Sequence, residues 1–203
     1  SKLAKGVLEK IDTFSNRILS MIEDPLREGP WSCRGMVVGQ VQSGKTASYT
    51  ALINKATDAG YKLIIVLAGI HDNLRSQTQE RLNKEFLGYD REVIHLDDGN
   101  TTKVGVGNYQ GHKVINTLTS SSQRGDFNAN IANQAALIPS ATGDPIIMII
   151  KKHHRIIKNC IDWLTQLIGK SDGMGKSIIN NPALLLIDDE CDQASVNTKR
   201  VLL

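Results

Sequence analysis

The stretch that most constrains this chain is Gly39-Gln40-Val41-Gln42-Ser43-Gly44-Lys45-Thr46, which fits the pattern G-x-x-x-x-G-K-[ST] without adjustment. Its flanks fit the same reading. Residues 35–38 (GMVV) predict a short buried strand, and residues 47–59 predict a helix closed by Gly60. A strand, a glycine-rich turn and a helix N-terminus form a cradle for phosphate oxygens. Gly39 and Gly44 let the backbone turn tightly and aim N–H groups at those oxygens. In such a cradle Lys45 reaches the outer phosphates of a nucleotide and the Thr46 hydroxyl binds Mg²⁺. A chance glycine-rich turn is the competing reading, and the full octapeptide between strand and helix argues against it.

The chain has 203 residues, enough for one α/β domain with a real core. Net charge is +3, so a nucleic-acid surface, if there is one, must be a local patch. Aromatic residues make up only 4%, which argues against a base-stacking platform. Cys33, Cys160 and Cys191 are far apart and show no metal spacing, which fits a reducing compartment. No apolar run approaches the ~20 residues of a membrane span. The N-terminus lacks the apolar centre of a signal peptide. The expectation is a cytoplasmic protein without membrane association.

Residues 2–23 predict a helix, with Val7, Ile11, Phe14, Ile18 and Ile22 on one stripe. That helix is expected to pack on the cradle domain. Trp31 is expected mainly as packing, with base stacking as the alternative. Residues 61–68 (YKLIIVLA), 145–150 (PIIMII) and 183–187 (ALLLI) read as buried parallel strands, because their apolar runs are nearly continuous. A helix follows the first of them, capped by Asp72 or Asn73, and another follows the second, to about Ile168. Weaker strands are expected at 92–96 and 113–119, with a short helix over 126–137. Residues 99–126 are rich in Gly, Ser, Thr and Asn and predict an excursion from the core. Strands alternating with helices predict an α/β fold with a mainly parallel sheet between two helical layers.

Asp188-Asp189-Glu190-Cys191-Asp192 follows the last strand. Nucleotide hydrolysis needs a carboxylate for Mg²⁺ and a second to orient the attacking water. Open α/β sheets place ligands at the carboxyl ends of their strands. D-E-x-D alignment assigns Asp189 to Mg²⁺ and Glu190 to the water. Asp188 remains an alternative or shared metal ligand, and an acidic solvated turn is the plainer reading of the cluster.

Together these motifs resemble motifs I and II of superfamily 2 helicases and translocases. Asn73-Leu74-Arg75-Ser76-Gln77 resembles motif Ia of that superfamily, and Lys151-Lys152 stands where a later strand-contacting motif would. More narrowly, GQVQSGKTASYTALINKATDAGYKLIIVLAGIHDNLRSQTQERL and LLLIDDECDQASVNT resemble the Z1 domain family, bacterial P-loop proteins associated with restriction-like or phage-defence systems. The resemblance covers about residues 31–198. It implies a RecA-like P-loop ATPase domain over 31–203, preceded by a helix and linker over 1–30. It also implies ATP and Mg²⁺ as cofactors, with residues 39–46 as the phosphate loop. Lys45 and Glu190 would be catalytic, and Thr46 and Asp189 metal-binding. Arg75, Gln77, Lys151 and Lys152 would contact nucleic acid, most simply DNA. A second RecA-like domain carrying an arginine finger would complete the motor. An ATP-gated switch without translocation is the alternative, and part of an endonuclease a further one, although Asp97-Asp98 has no nearby E-x-K partner.

Three look-alikes are set aside. Ser140-Ala141-Thr142 spells a helicase motif III but precedes motif II. Residues 173–177 imitate a second phosphate loop, but Lys170 stands where the first glycine is required. His153-His154 are sequence neighbours whose side chains are expected to point apart, with no third ligand near.

Overall fold

The computed structural model describes residues 5–38, 44–90, 102–171, 177–178, 181–189 and 191. Residues 39–43 of the cradle, Glu190, the strand expected at 92–96 and most of the imitation loop lie outside them.

Helix α1 spans Lys5–Leu19. Helix α2, Lys45–Ala59, follows the cradle and ends as the sequence predicts. Gly60 adopts φ 116° and donates its N–H to Ala56 O and Thr57 O, while Tyr61 N also bonds Ala56 O. A left-handed residue closing the last carbonyls in this way is the usual glycine helix stop. Strand β1, Leu63–Ala68, leads into α3, Asp72–Leu82. A π-helical turn, Asn83–Leu87, precedes a small antiparallel pair of β2, Tyr89–Asp90, and β3, Thr102–Lys103. Then come β4, Asn116–Thr117, α4, Ala129–Gln134, β5, Ile146–Ile150, and α5, His154–Ile168. A second small antiparallel pair, β6 (Lys170–Ser171) with β7 (Ser177–Ile178), precedes β8, Leu184–Asp189.

Four strands form one parallel sheet in the order β4-β5-β1-β8. Strand β1 is central, pairing Leu63 to Leu67 with Ile146 to Ile150 on one side and Leu63 to Ala68 with Leu184 to Asp189 on the other. Alternate side chains enter two cores. Ile64, Val66, Ile147, Ile149 and Leu185 pack with Ile53 and Ala56 of α2 and Leu82 of α3. Leu63, Ile65, Met148 and Ile150 pack with Ala132 of α4 and Cys160, Trp163 and Leu164 of α5. At β1 and β5 both faces of the sheet are therefore covered by helices, which explains strand sequences without polar alternation, whereas the edge strand β8 leaves Leu186 exposed.

Several expectations need correction. Residues 35–38 join no ladder, and Met36 and Val38 are 77% and 84% exposed. Strand β8 is the edge of the described sheet, and residues 35–38 line the cavity beside it instead of pairing with it. The strand expected at 113–119 contracts to two residues. The helix expected over 126–137 is shorter, and it starts where the Asn128 side chain accepts the N–H groups of Asn130 and Ile131. Helix α1 does pack on α2, held by Lys55 Nζ at 2.7 Å from both Asp12 Oδ1 and Asn16 Oδ1. Its apolar stripe is not sealed, however: Val7 and Phe14 are exposed and line a cavity beside β8. No described helix is long and apolar enough to cross a membrane.

The cysteines differ sharply. Burial pushes the Cys160 thiol up to about 12, whereas Cys33 and Cys191 are exposed. The thiolate is the reactive form. A thiol-alkylating reagent should therefore label Cys33 and Cys191 in the native protein and Cys160 only after unfolding. Mass spectrometry of partially labelled protein checks this, and equal labelling of all three would contradict the packing of α5.

Candidate functional site

Gly44 stands at φ 78°, ψ 24°, a left-handed conformation that suits glycine, and α2 begins directly after it. Among the described residues no side chain caps this helix end. Its first N–H groups and its dipole thus form an anion-attracting terminus on which the described end of the cradle converges. Lys45 is exposed there and Thr46 half-buried.

Strand alternation sorts the two aspartates at the end of β8. Leu185 belongs to the core on the α2 face and Ile187 packs against it, so Asp189 continues that face. Leu184 packs on the α5 face, which places Asp188 on the opposite side. Hydrogen bonding agrees. Tyr49, one helical turn beyond Lys45, donates its hydroxyl to Asp189 Oδ2 at 3.2 Å. Lys152, after β5, places Nζ 2.8 Å from Asp188 Oδ1. The Lys152 backbone N–H also bonds Gly69 O at 2.7 Å, bringing its side chain across the end of the central strand.

Asp189, not Asp188, is therefore the carboxylate joined to the helix that carries Lys45 and Thr46. Burial first, and then the Asp189 charge, pushes the Tyr49 phenol far above its ordinary range, so it remains a neutral donor. A cavity of about 1540 Å³ adjoins these groups and is lined by Gly44, Lys45, Tyr49, Asp188, Asp189 and Trp31, among others. Trp31 packs edge-on against Tyr61, with ring centroids 6.2 Å apart. Tyr61 in turn donates to Glu23 O at 2.6 Å, so the packing role expected for Trp31 is present at the cavity wall.

The expected nucleic-acid contacts do not form one surface. Arg75 is 0% exposed. It donates to Ser120 O at 2.8 Å and Ser122 O at 2.6 Å, with Gly125 O at 3.5 Å, and so pins the loop after β4. The expectation of a surface contact at Arg75 is corrected by that burial, since a phosphate has no access to the guanidinium. Its Nε lies 3.9 Å from Asp126 Oδ2 and has no hydrogen-bond partner among the described residues. Burial, the largest influence on each, lowers Arg75 and raises Asp126, the reverse of what their mutual attraction alone would do. Gln77 is exposed on the outer side of α3. Lys151 pairs with Asp72 at 2.7 Å, and Lys152 with Asp188; their side chains are 19% and 6% exposed.

His153 and His154 also depart from expectation: their rings sit 4.7 Å apart between centroids, tilted by 36°, instead of diverging. Among the described residues no three His, Cys, Asp or Glu side chains gather as a metal cage. Mg²⁺ at a nucleotide takes one or two protein oxygens and completes its shell with water and phosphate. Thr46 and Asp189 supply oxygens of the required kind on adjoining elements.

Sequence reasoning did not find Tyr49 or the Lys152–Asp188 pair. The spacing of Tyr49 from Lys45 and Thr46, four and three residues, was the available signal. The Lys152 pairing carried none, because it depends on strand order.

Fold and site define a parallel α/β domain in which a glycine-led helix N-terminus meets an acidic strand end. The chain matches no family model, no curated protein and no solved structure.

Proposed function

We propose that the chain is a RecA-like ATP-binding domain of a superfamily 2-type, nucleic-acid-directed ATPase that resembles the Z1 domains in motif content. The observation that carries this reading is the contact between Tyr49 on α2 and Asp189 on β8. It draws the aspartate of the second motif to the helix that begins with Lys45 and Thr46.

In this reading the N-terminus of α2 and residues 39–44 bind the phosphates through backbone N–H groups. Lys45 places its ammonium on the outer phosphates. Thr46 and Asp189 would hold Mg²⁺, which when bound neutralises charge on the phosphate oxygens. Glu190 orients the attacking water. A further cation from outside the cradle, an arginine of a second motor domain in this reading, would stabilise the transferred phosphoryl group. DNA is the proposed polymer, and Gln77 is the exposed candidate contact on α3.

The test is ATP turnover by the wild type and Glu190→Gln, with and without single-stranded DNA. Slow Mg²⁺-dependent turnover by the chain alone is expected, because an arginine finger contributes about 10³ to 10⁵ in rate. Glu190→Gln should keep nucleotide binding and lose that turnover. Undiminished turnover in the variant would remove Glu190 from the mechanism.

A second reading, an ATP-gated switch that does not translocate, is favoured by one observation. Arg75 is buried, and Lys151 and Lys152 each have an acidic partner. DNA affinity measured across a salt series separates the two. For a nucleic-acid surface the logarithm of affinity should fall linearly with the logarithm of salt, by about 0.7 to 0.9 in slope per phosphate contact. A protein that neither binds DNA nor is stimulated by it belongs to the switch reading.

A further inference from the structure

We propose that Tyr49 is a positioning residue for the metal-binding carboxylate, its hydroxyl holding one oxygen of Asp189 and leaving the other for Mg²⁺. The inference rests on the nucleotide reading above and assigns a new role within that site.

The geometry supplies the argument. Tyr49 lies four residues after Lys45 and three after Thr46, so all three share one side of the first two turns of α2. Its hydroxyl reaches across to β8 and donates to Asp189 Oδ2 at 3.2 Å. An ionised carboxylate has two oxygens and about four lone-pair sites, so this bond leaves ample capacity for a cation. Strand alternation prevents the neighbouring acid from substituting for Asp189. Asp188 lies on the opposite face, against a lysine whose side chain is only 6% exposed. One aspartate is thus tied to Lys152 and the other to Tyr49.

Hydrogen bonds from outside the coordination shell orient ligating carboxylates, and losing one typically costs about 10- to 100-fold in metal affinity. Phenylalanine retains the ring that fills the space between helix and strand. Removing the hydroxyl therefore isolates the hydrogen bond from the packing.

The experiment titrates a fluorescent ATP analogue into the wild type, Tyr49→Phe, Asp189→Asn and the double variant. Each titration is run in EDTA and across an Mg²⁺ series. Tyr49→Phe should raise the half-saturating Mg²⁺ by about tenfold. It should leave affinity in EDTA and the thermal midpoint essentially unchanged. On the Asp189→Asn background the same change should have no further effect, because both substitutions act through one carboxylate. An unchanged Mg²⁺ requirement in Tyr49→Phe would overturn the proposal. Equal losses with and without metal would do so too, since they would mark a packing residue. Independent effects in the double variant would also count against it. A wild type whose nucleotide binding ignores Mg²⁺ would remove the nucleotide-site reading together with this one. A normal wild-type curve beside an unaffected variant would remove only the role of Tyr49.

Discussion

Lys45→Ala is expected to lose ATP binding, weakening it by at least about 100-fold. A hydrogen bond to a charged group contributes about 1.5–3 kcal/mol, and each 1.4 kcal/mol is tenfold in affinity. Lys45 offers three donors on one ammonium at the helix end where the phosphates would lie. Stability should hardly change. Lys45 is exposed, and alanine is at least as good a helix former at that position. The two readouts therefore separate a lost ligand contact from a damaged fold. Calorimetric titration of ATP with Mg²⁺ gives the first, and a thermal melt gives the second. Equal affinity in the wild type and the variant would dissolve the site assignment, whatever the helix geometry. Weaker binding with a matching fall in melting temperature would indicate a structural lysine.

Much of the architecture was legible because its signals are local. Helix α2 announces its end through Gly60, whose left-handed geometry disfavours other side chains. Strands β1 and β5 stand out because a strand covered on both faces is apolar throughout, and the edge strand β8 through its apolar run from Leu184 to Ile187. Residues 35–38 have the same local character, yet they form no strand. Apolar composition states that a segment can be buried in a sheet but not that it joins the ladder: here residues 35–38 and the edge strand β8 line one cavity without pairing. The assignment of Asp189 over Asp188 has a similar origin. Alternation guarantees that the two point apart, but which face α2 covers is a property of the assembled sheet. Arg75 was misread for a third reason. It recurs with Gln79 and Leu82 at helical spacing, and that stripe is the buried one. Hydrophobicity could not reveal it, because the stripe is polar at two of its three positions and faces a loop some 45 residues downstream.

That loop defines the other large expected effect: Arg75→Ala should destabilise the fold by about 3–5 kcal/mol, because it removes two hydrogen bonds from a charged donor to Ser120 O and Ser122 O, each contributing about 1.5–3 kcal/mol. The substitution removes the guanidinium from Ser120 O and Ser122 O, the latter still accepting from Gly125 N at 2.9 Å, and takes from Asp126 its nearest cation. A neighbouring polar network depends on the same loop. Gln79 accepts from Thr119 Oγ1 at 2.7 Å, and Thr119 Oγ1 accepts from Ile149 N at 3.0 Å, so the loop entrance is tied to β5. For a chain of this size each kcal/mol moves the melting point by about 2–4 °C. The variant should therefore melt roughly 10 °C lower. Arg75→Lys should not restore it, because one ammonium cannot reproduce a planar fork directed at carbonyls on either side of Ser121. Asp126→Asn should cost much less. It retains an acceptor for Phe127 N, and the Arg75–Asp126 separation of 3.9 Å is too long for a strong charge-assisted bond. Burial has also raised the Asp126 carboxyl, which fixes the sign of its pH dependence. A raised carboxyl binds its proton more readily in the folded state. Its contribution to stability is therefore greatest below the unfolded pKa and is lost as pH rises through the folded one. Asp126→Asn should flatten that limb of the stability profile, whereas Arg75→Ala should lower the whole profile. Equal losses from the two substitutions would mean that the ion pair, and not the grip of Arg75 on the backbone carbonyls, holds the loop.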